Sequence, residues 1–266
     1  MYLIFDTETT GLPRNKNAPL TDFENWPRLV QLAWQLHDGE GKLLSQGNHV
    51  IKPEGFTIPF NAQKVHGIST NRALEVGEDL KEVLAKFSSD VKRASVLVGH
   101  NIEFDNKIIG AEYLRTEQEN LIADYPNIDT GIATTDFCDI VMGNGRKKMP
   151  KLIELYEKLF GKPFDDAHDA AYDVDATANA FIECLRRKII PTHDGTDPAR
   201  IKYDAPDLEA ANFSWAKEKA DGRASGTEVA VEDIKGAYAH LHVHSQFSVL
   251  QATPNVESIV AKAVAY

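Results

Sequence analysis

Residues 2–11 read YLIFDTETTG, an apolar run that leads into two acids spaced two apart. The run Tyr2–Phe5 reads as a buried strand. In a strand, alternate residues share a face, so the carboxylates of Asp6 and Glu8 can converge on one cation. An Asp-x-Glu pair alone also occurs at ordinary solvated strand ends. The rest of the chain must decide between the two.

Outward from this strand, a polar loop over 13–27 carries Pro13, Pro19 and Pro27. Residues 29–37 (LVQLAWQLH) and 43–51 (LLSQGNHVI) read as strands, and Gly39 and Gly41 between them supply a hairpin turn. Val76, Leu80, Val83, Leu84, Phe87 and Val91 recur at helical spacing and predict one apolar stripe. Residues 95–99 (SVLVG) predict a second buried strand. Residues 103–115 predict a helix with Phe104, Ile108, Ile109 and Leu114 inward. A short strand is expected at 133–137, then helices at 151–160 and 169–188, the last presenting Val174, Ala178, Phe181 and Leu185 on one face. Strands first, then strands alternating with helices, predict an α/β fold with a mixed central sheet flanked by helices.

Two further acidic clusters lie at predicted element edges. Asn101, Phe104 and Asp105 sit in HNIEFD, directly after the strand SVLVG. His168, Asp173 and Asp175 sit in AHDAAYDVDAT, at the start of the last long helix. His168 and Asp173, five apart, do not share a helical face, so His168 is expected in the preceding loop and Asp173 one turn inside. Tyr172 is adjacent to Asp173, not four residues before it, and cannot take the place a tyrosine holds in a related subgroup.

The formal net charge is −11, from 29 Lys+Arg against 40 Asp+Glu. That excludes a generic DNA-coating protein with a basic face. It is compatible with a nuclease, because a site for divalent cations needs clustered carboxylates and bound metal reverses the local field. Cys138 and Cys184 match no metal spacing and are expected to be buried free thiols. The chain shows no signal peptide and no membrane-spanning run, so a cytoplasmic protein is expected. The run Arg146–Lys148 reads as a solvated loop, with contact to a nucleic-acid backbone as the alternative.

FDTETTG, HNIEFD and H-x4-D, in this order, resemble the DEDDh exonucleases, whose bacterial type is the proofreading epsilon subunit of the replicative polymerase. AQKVHGIS at 62–69 is similar to the same family's segment after the hairpin. The resemblance covers residues 1–190 and implies a ribonuclease-H-like sheet. It implies Asp6, Glu8, Asp105 and Asp173 as ligands of two Mg²⁺ ions, replaceable by Mn²⁺, and His168 as the general base. Thr7 and Leu12 resemble residues that hold and wedge a terminal nucleotide. His66 and Phe104 resemble contacts to its base or sugar. Gln31 stands where many relatives carry Glu. The implied reaction is 3′→5′ removal of 5′-mononucleotides from single-stranded DNA ends. An exoribonuclease of the same family and a non-catalytic DNA-positioning module are the alternatives.

After Ile190 the sequence PTHDGTDPARIKYDAPD predicts a linker over 191–236. Residues 237–266 then present His240, His242 and His244 in alternation, a pattern a metal can use. AHLHVHSQFSVL resembles the first strand of a polymerase-and-histidinol-phosphatase (PHP) domain, although Leu250-Gln251-Ala252 replaces the usual Leu-Asp-Gly. The whole resembles the N-terminal part of Bacteroidetes-type DNA polymerase III alpha subunits with a built-in exonuclease. That implies polymerase and clamp components as partners.

Overall fold

The computed structural model describes residues 1–161 and 170–202. His168 and the three tail histidines lie outside the described residues. The strands are β1 (Tyr2–Thr9), β2 (Leu29–His37), β3 (Leu43–Val50), β4 (Val96–Gly99) and β5 (Asn127–Asp129). The helices are α1 (Phe60–His66), α2 (Thr70–Val76), α3 (Leu80–Val91), α4 (Ile102–Arg115), α5 (Thr130–Ala133), α6 (Thr135–Cys138), α7 (Leu152–Phe160) and α8 (Ala170–Arg186). They build the ribonuclease-H-like α/β architecture, a five-stranded mixed sheet in the order β3-β2-β1-β4-β5 with helices on both faces. β2 runs antiparallel to β1 and β3, while β4 runs parallel to β1 and β5.

β1 is central because both of its faces are apolar up to Asp6. Tyr2 and Ile4 pack in the core shared with α7 and α8, and Leu3 and Phe5 in the core shared with α3 and α4. A strand covered on both faces must be continuously apolar, and the alternation then divides its residues between two cores. Ring contacts tie the layers together: Tyr2 meets Phe181 at 5.0 Å, and Phe5 and Trp34 both meet Phe87. Cys138 and Cys184 are buried free thiols, and burial pushes Cys184 up to about 12.

Three expectations need correction. The 133–137 segment is helical, and the edge strand lies earlier, at β5. Asp129 turns the chain into α5 by accepting from the N–H groups of Gly131 and Ile132, at 2.9 and 3.2 Å. Side-chain capping of this kind outweighs the β propensity of Thr134 and Thr135. The apolar stripe does not begin at Val76, which is exposed. α2 ends there, and Asp79 caps α3 anew through the Glu82 N–H at 3.0 Å. In α4 it is Tyr113 that is fully buried, and Leu114 is half-buried.

The 13–27 loop has a fixed structure. Trp26 is buried and donates its indole N–H to the Pro19 carbonyl at 2.9 Å. Asn15 and Asn25 bond each other through side chain and backbone. Arg115 of α4 grips the far end, donating to the carbonyls of Phe23, Trp26 and Pro27. Behind it lies Glu112, at 0% exposure, whose Oε1 accepts from Arg28 Nε, the Leu29 N–H and Arg115 Nη1. A buried carboxylate is tolerated only with such partners.

Residues 191–202, read from sequence as the start of a linker, lie against this body. Ile201 is 5% exposed in the α8 core, the His193 N–H donates to the Tyr2 hydroxyl, and Arg200 pairs with Glu40. One apolar anchor holds the segment down, which a composition dominated by Pro, Asp and Gly conceals.

Two outcomes follow. Glu112→Ala leaves Arg115 without its counter-charge and should lower the unfolding free energy by about 3 kcal/mol, read from urea denaturation. A chain ending at Ile190 should be less stable than one ending at Lys202 by about 1.5–3 kcal/mol, the value of one buried Ile side chain, read from paired melting curves.

Candidate active site

The site forms where β1 ends, because the sheet direction changes there. On one side β1 continues against β2, with Glu8 opposite Gln31; on the other its parallel partner β4 turns into α4. The β4–α4 turn is tight. A Cβ on Gly99 would stand 3.0 Å from Ile102 Cβ, so a side chain there forces the helix outward. Asn101 takes the left-handed conformation, φ 65, with its N–H on Asp129 Oδ1 at 3.2 Å.

Asp6 and Glu8 project from one face of β1 as their spacing predicts, and Asp173 arrives from the first turn of α8. Each offers a carboxylate oxygen, and these atoms lie within 4.8 Å of one another. All three residues are half-buried, so solvent reaches them. Oxygen donors at this separation match the preference of hard divalent cations.

Asp105 joins the group indirectly. It is buried in the first turn of α4, and its Oδ1 accepts from the Thr7 N–H at 3.1 Å and the Thr7 hydroxyl at 2.6 Å. Thr7 is the residue between Asp6 and Glu8, so this pair of bonds ties the first turn of α4 to the strand that carries both. Burial pushes the Asp105 carboxyl up to about 7; the Thr7 bonds oppose that rise, and the nearby Asp129 adds to it.

The four residues expected at the terminal nucleotide differ in exposure and partners. Leu12 is 83% exposed just past β1 and is free to pack on a ligand. Thr7 has both its N–H and its hydroxyl on Asp105. His66 is buried, its Nδ1 accepting from the Ile68 N–H at 3.1 Å. Phe104 is half-buried against the α3/α4 core.

Gln31 has a role the sequence did not suggest. Its Oε1 accepts from the Ala170 N–H at 3.4 Å and its Nε2 donates to Asn48 Oδ1 at 2.9 Å. It thereby ties the start of α8, three residues before Asp173, to the strand position facing Glu8. One turn further along α8, Asp175 accepts from Gln35 Nε2 at 2.8 Å. The basic run is largely neutralised: Lys147 pairs with Asp136 and Asp139, and Lys148 with Glu154. Among the described residues, no helix is long and apolar enough to cross a membrane.

Known proteins resemble this chain in sequence and in fold. The chain is 29% identical over 177 residues to a PolC-type DNA polymerase III of Streptococcus thermophilus, covering 66% of this chain and 10% of that polymerase. It is 28% identical over 200 residues to ribonuclease T of Marinobacter nauticus, covering 70% of this chain and 82% of that enzyme. Its fold matches E. coli Exonuclease I in complex with a dA16 oligonucleotide at a TM-score of 0.55 and 21% identity, over 70% of this chain and 40% of that one. The family model described as RNase_T exonuclease matches residues 3–181, more than half the sequence, and the chain therefore belongs to the RNase_T exonuclease family.

Proposed function

We propose that this domain removes 5′-mononucleotides from the 3′ ends of single-stranded DNA, as the proofreading exonuclease of a replicative polymerase. The gathering of Asp6, Glu8 and Asp173 within 4.8 Å is the observation that carries the reading. Similarity to PolC-type polymerases supports the proofreading setting, and the PHP-like tail and clamp partners are part of the same proposal. Asp6, Glu8, Asp173 and Asp105 would hold two Mg²⁺ or Mn²⁺ ions. Bound divalent cations supply an activated water and neutralise charge on the phosphate oxygens.

The chain's own groups do the rest. Asp6 and Glu8 present their carboxylates from one rigid strand, and Asp173 from a helix anchored through Gln31. His168 is proposed as the general base that takes the proton from the attacking water, since an imidazole titrates near neutral pH. Exposed Leu12 is proposed to wedge against the terminal base, and Thr7, His66 and Phe104 are proposed as further contacts to the terminal nucleotide. A strand end must enter unpaired, so single strands are preferred.

Ribonuclease T similarity over most of that enzyme's length favours a second reading, an exoribonuclease using the same carboxylates. Matched DNA and RNA oligonucleotides decide between the two.

Mononucleotide release from single-stranded DNA should require Mg²⁺ or Mn²⁺, stop in excess EDTA and vanish in Asp6→Ala. Equal release in EDTA would overturn the metal-dependent reading. His168→Ala should lower turnover by roughly 10²–10⁴-fold, the range for a general base. Calorimetric Mn²⁺ titration of that variant should show affinity close to wild type; a loss as severe as in Asp6→Ala would make His168 a ligand.

A further inference from the structure

Arg28 stands beside the carboxylate site without belonging to it. It extends β2 backwards by one residue and pairs with Thr10: the Thr10 N–H donates to the Arg28 carbonyl, and the Arg28 N–H to Thr10 Oγ1, both at 2.9 Å. Thr10 is two residues past Glu8, about 7 Å along a strand, and two before the exposed Leu12.

The guanidinium is held from two directions. Nε donates to Glu112 Oε1 at 2.9 Å, and the group lies over the Phe56 ring, 4.4 Å from its centroid. The side chain remains 28% exposed. An arginine has five N–H donors, so the Glu112 bond leaves the four on the Nη atoms outside it. No described residue accepts from those four.

Charge points the same way. One carboxylate, Glu112, serves two arginines, so the trio carries one surplus positive charge, which Glu24 near Arg115 offsets in part. Arg115 has both Nη atoms on backbone carbonyls of the 13–27 loop and on Glu112. The exposed part of that charge is presented at Arg28, whose backbone pairs with Thr10 just past Glu8, in a chain of net charge −11. A polyanion approaching those acids is repelled unless a fixed cation meets it. A preorganised guanidinium matches a phosphodiester, which it can grip with two parallel N–H bonds.

We propose that Arg28 is a substrate-positioning residue that takes a backbone phosphate upstream of the bond being cut, with Phe56 and Glu112 fixing its guanidinium. The inference rests on the reading of the site as a nuclease for single-stranded ends.

The probe is a fluorescent oligodeoxythymidylate, bound in EDTA so that no cleavage occurs, with affinity followed against salt. Loss of one phosphate contact on a single strand reduces the slope of log K against log salt by about 0.7. Arg28→Gln should show that reduction while melting as a folded protein, since Glu112 keeps its bonds to Leu29 and Arg115. In Mg²⁺ its KM should rise roughly tenfold or more, the size of a charge-assisted hydrogen bond, with kcat little changed. A folded Arg28→Gln with the wild-type slope overturns the proposal, as does a loss confined to kcat. Should that variant not fold, Arg28→Lys tests the same point. It should keep the slope, because the charge remains, and raise KM, because one ammonium cannot serve Glu112 and a phosphate together. An Arg28→Lys protein with wild-type KM overturns the proposal. Failure of the wild type to hydrolyse the oligonucleotide would instead strike the reading of the site, since the slope is measured from binding alone.

Discussion

One residue donates twice to one oxygen: the N–H and the hydroxyl of Thr7 both reach Asp105 Oδ1. Everything at the site depends on this pairing. It fixes the first turn of α4 on the end of β1, between the two strand carboxylates. Thr7 cannot shift without carrying Asp6 or Glu8 with it, because strand neighbours share a rigid backbone. A valine at this position would keep the shape and lose the hydroxyl, leaving a buried carboxyl with one donor in place of two.

The second framework is Glu112 with its three donors. It lies on the same helix as Asp105, seven residues on, and reaches Arg28 and Leu29 at the start of β2. α4 thus binds the end of β1 at one point and the start of β2 at another. Through Arg115 it also holds the 13–27 loop. The loop's own Trp26–Pro19 and Asn15–Asn25 bonds fold it locally, and Arg115 fixes it on α4.

The difference between what the sequence reveals and what it hides follows from range. Asp6 and Glu8 were legible because strand geometry alone puts residues two apart on one face. The α8 stripe Val174, Ala178, Phe181 and Leu185 was legible because the period is local, and all four are buried. α1 was not legible: it has seven residues, follows Pro59, and takes no side-chain cap at its N-terminus. The helical 130–138 segment was misread because two adjacent threonines suggest a strand, while the deciding group is a single carboxylate, Asp129. The bonds made by Gln31 and Thr7 escaped for a different reason. Their partners lie 139 and 98 residues away, and no periodicity predicts a bond across such a distance.

Magnitudes explain why the carboxylates sit where they do. Two ionised carboxylates about 4–5 Å apart repel by roughly 3–4 kcal/mol at the effective dielectric of a protein surface. Asp105 and Asp173 each occupy the first turn of a helix, where the dipole favours negative charge. That help is about 0.3–1 kcal/mol for an exposed group and rarely reaches 2. Helix ends alone cannot hold three ionised carboxyls together. Asp105, outside the three-carboxylate cluster, is pushed up to about 7 by its burial, with Asp129 adding to the rise. With divalent cations the balance reverses, since attraction to a double charge exceeds the repulsion among the ligands. A fold that gathers Asp6, Glu8 and Asp173, and holds the start of α8 through Gln31, therefore keeps together three carboxylates that could hold a cation.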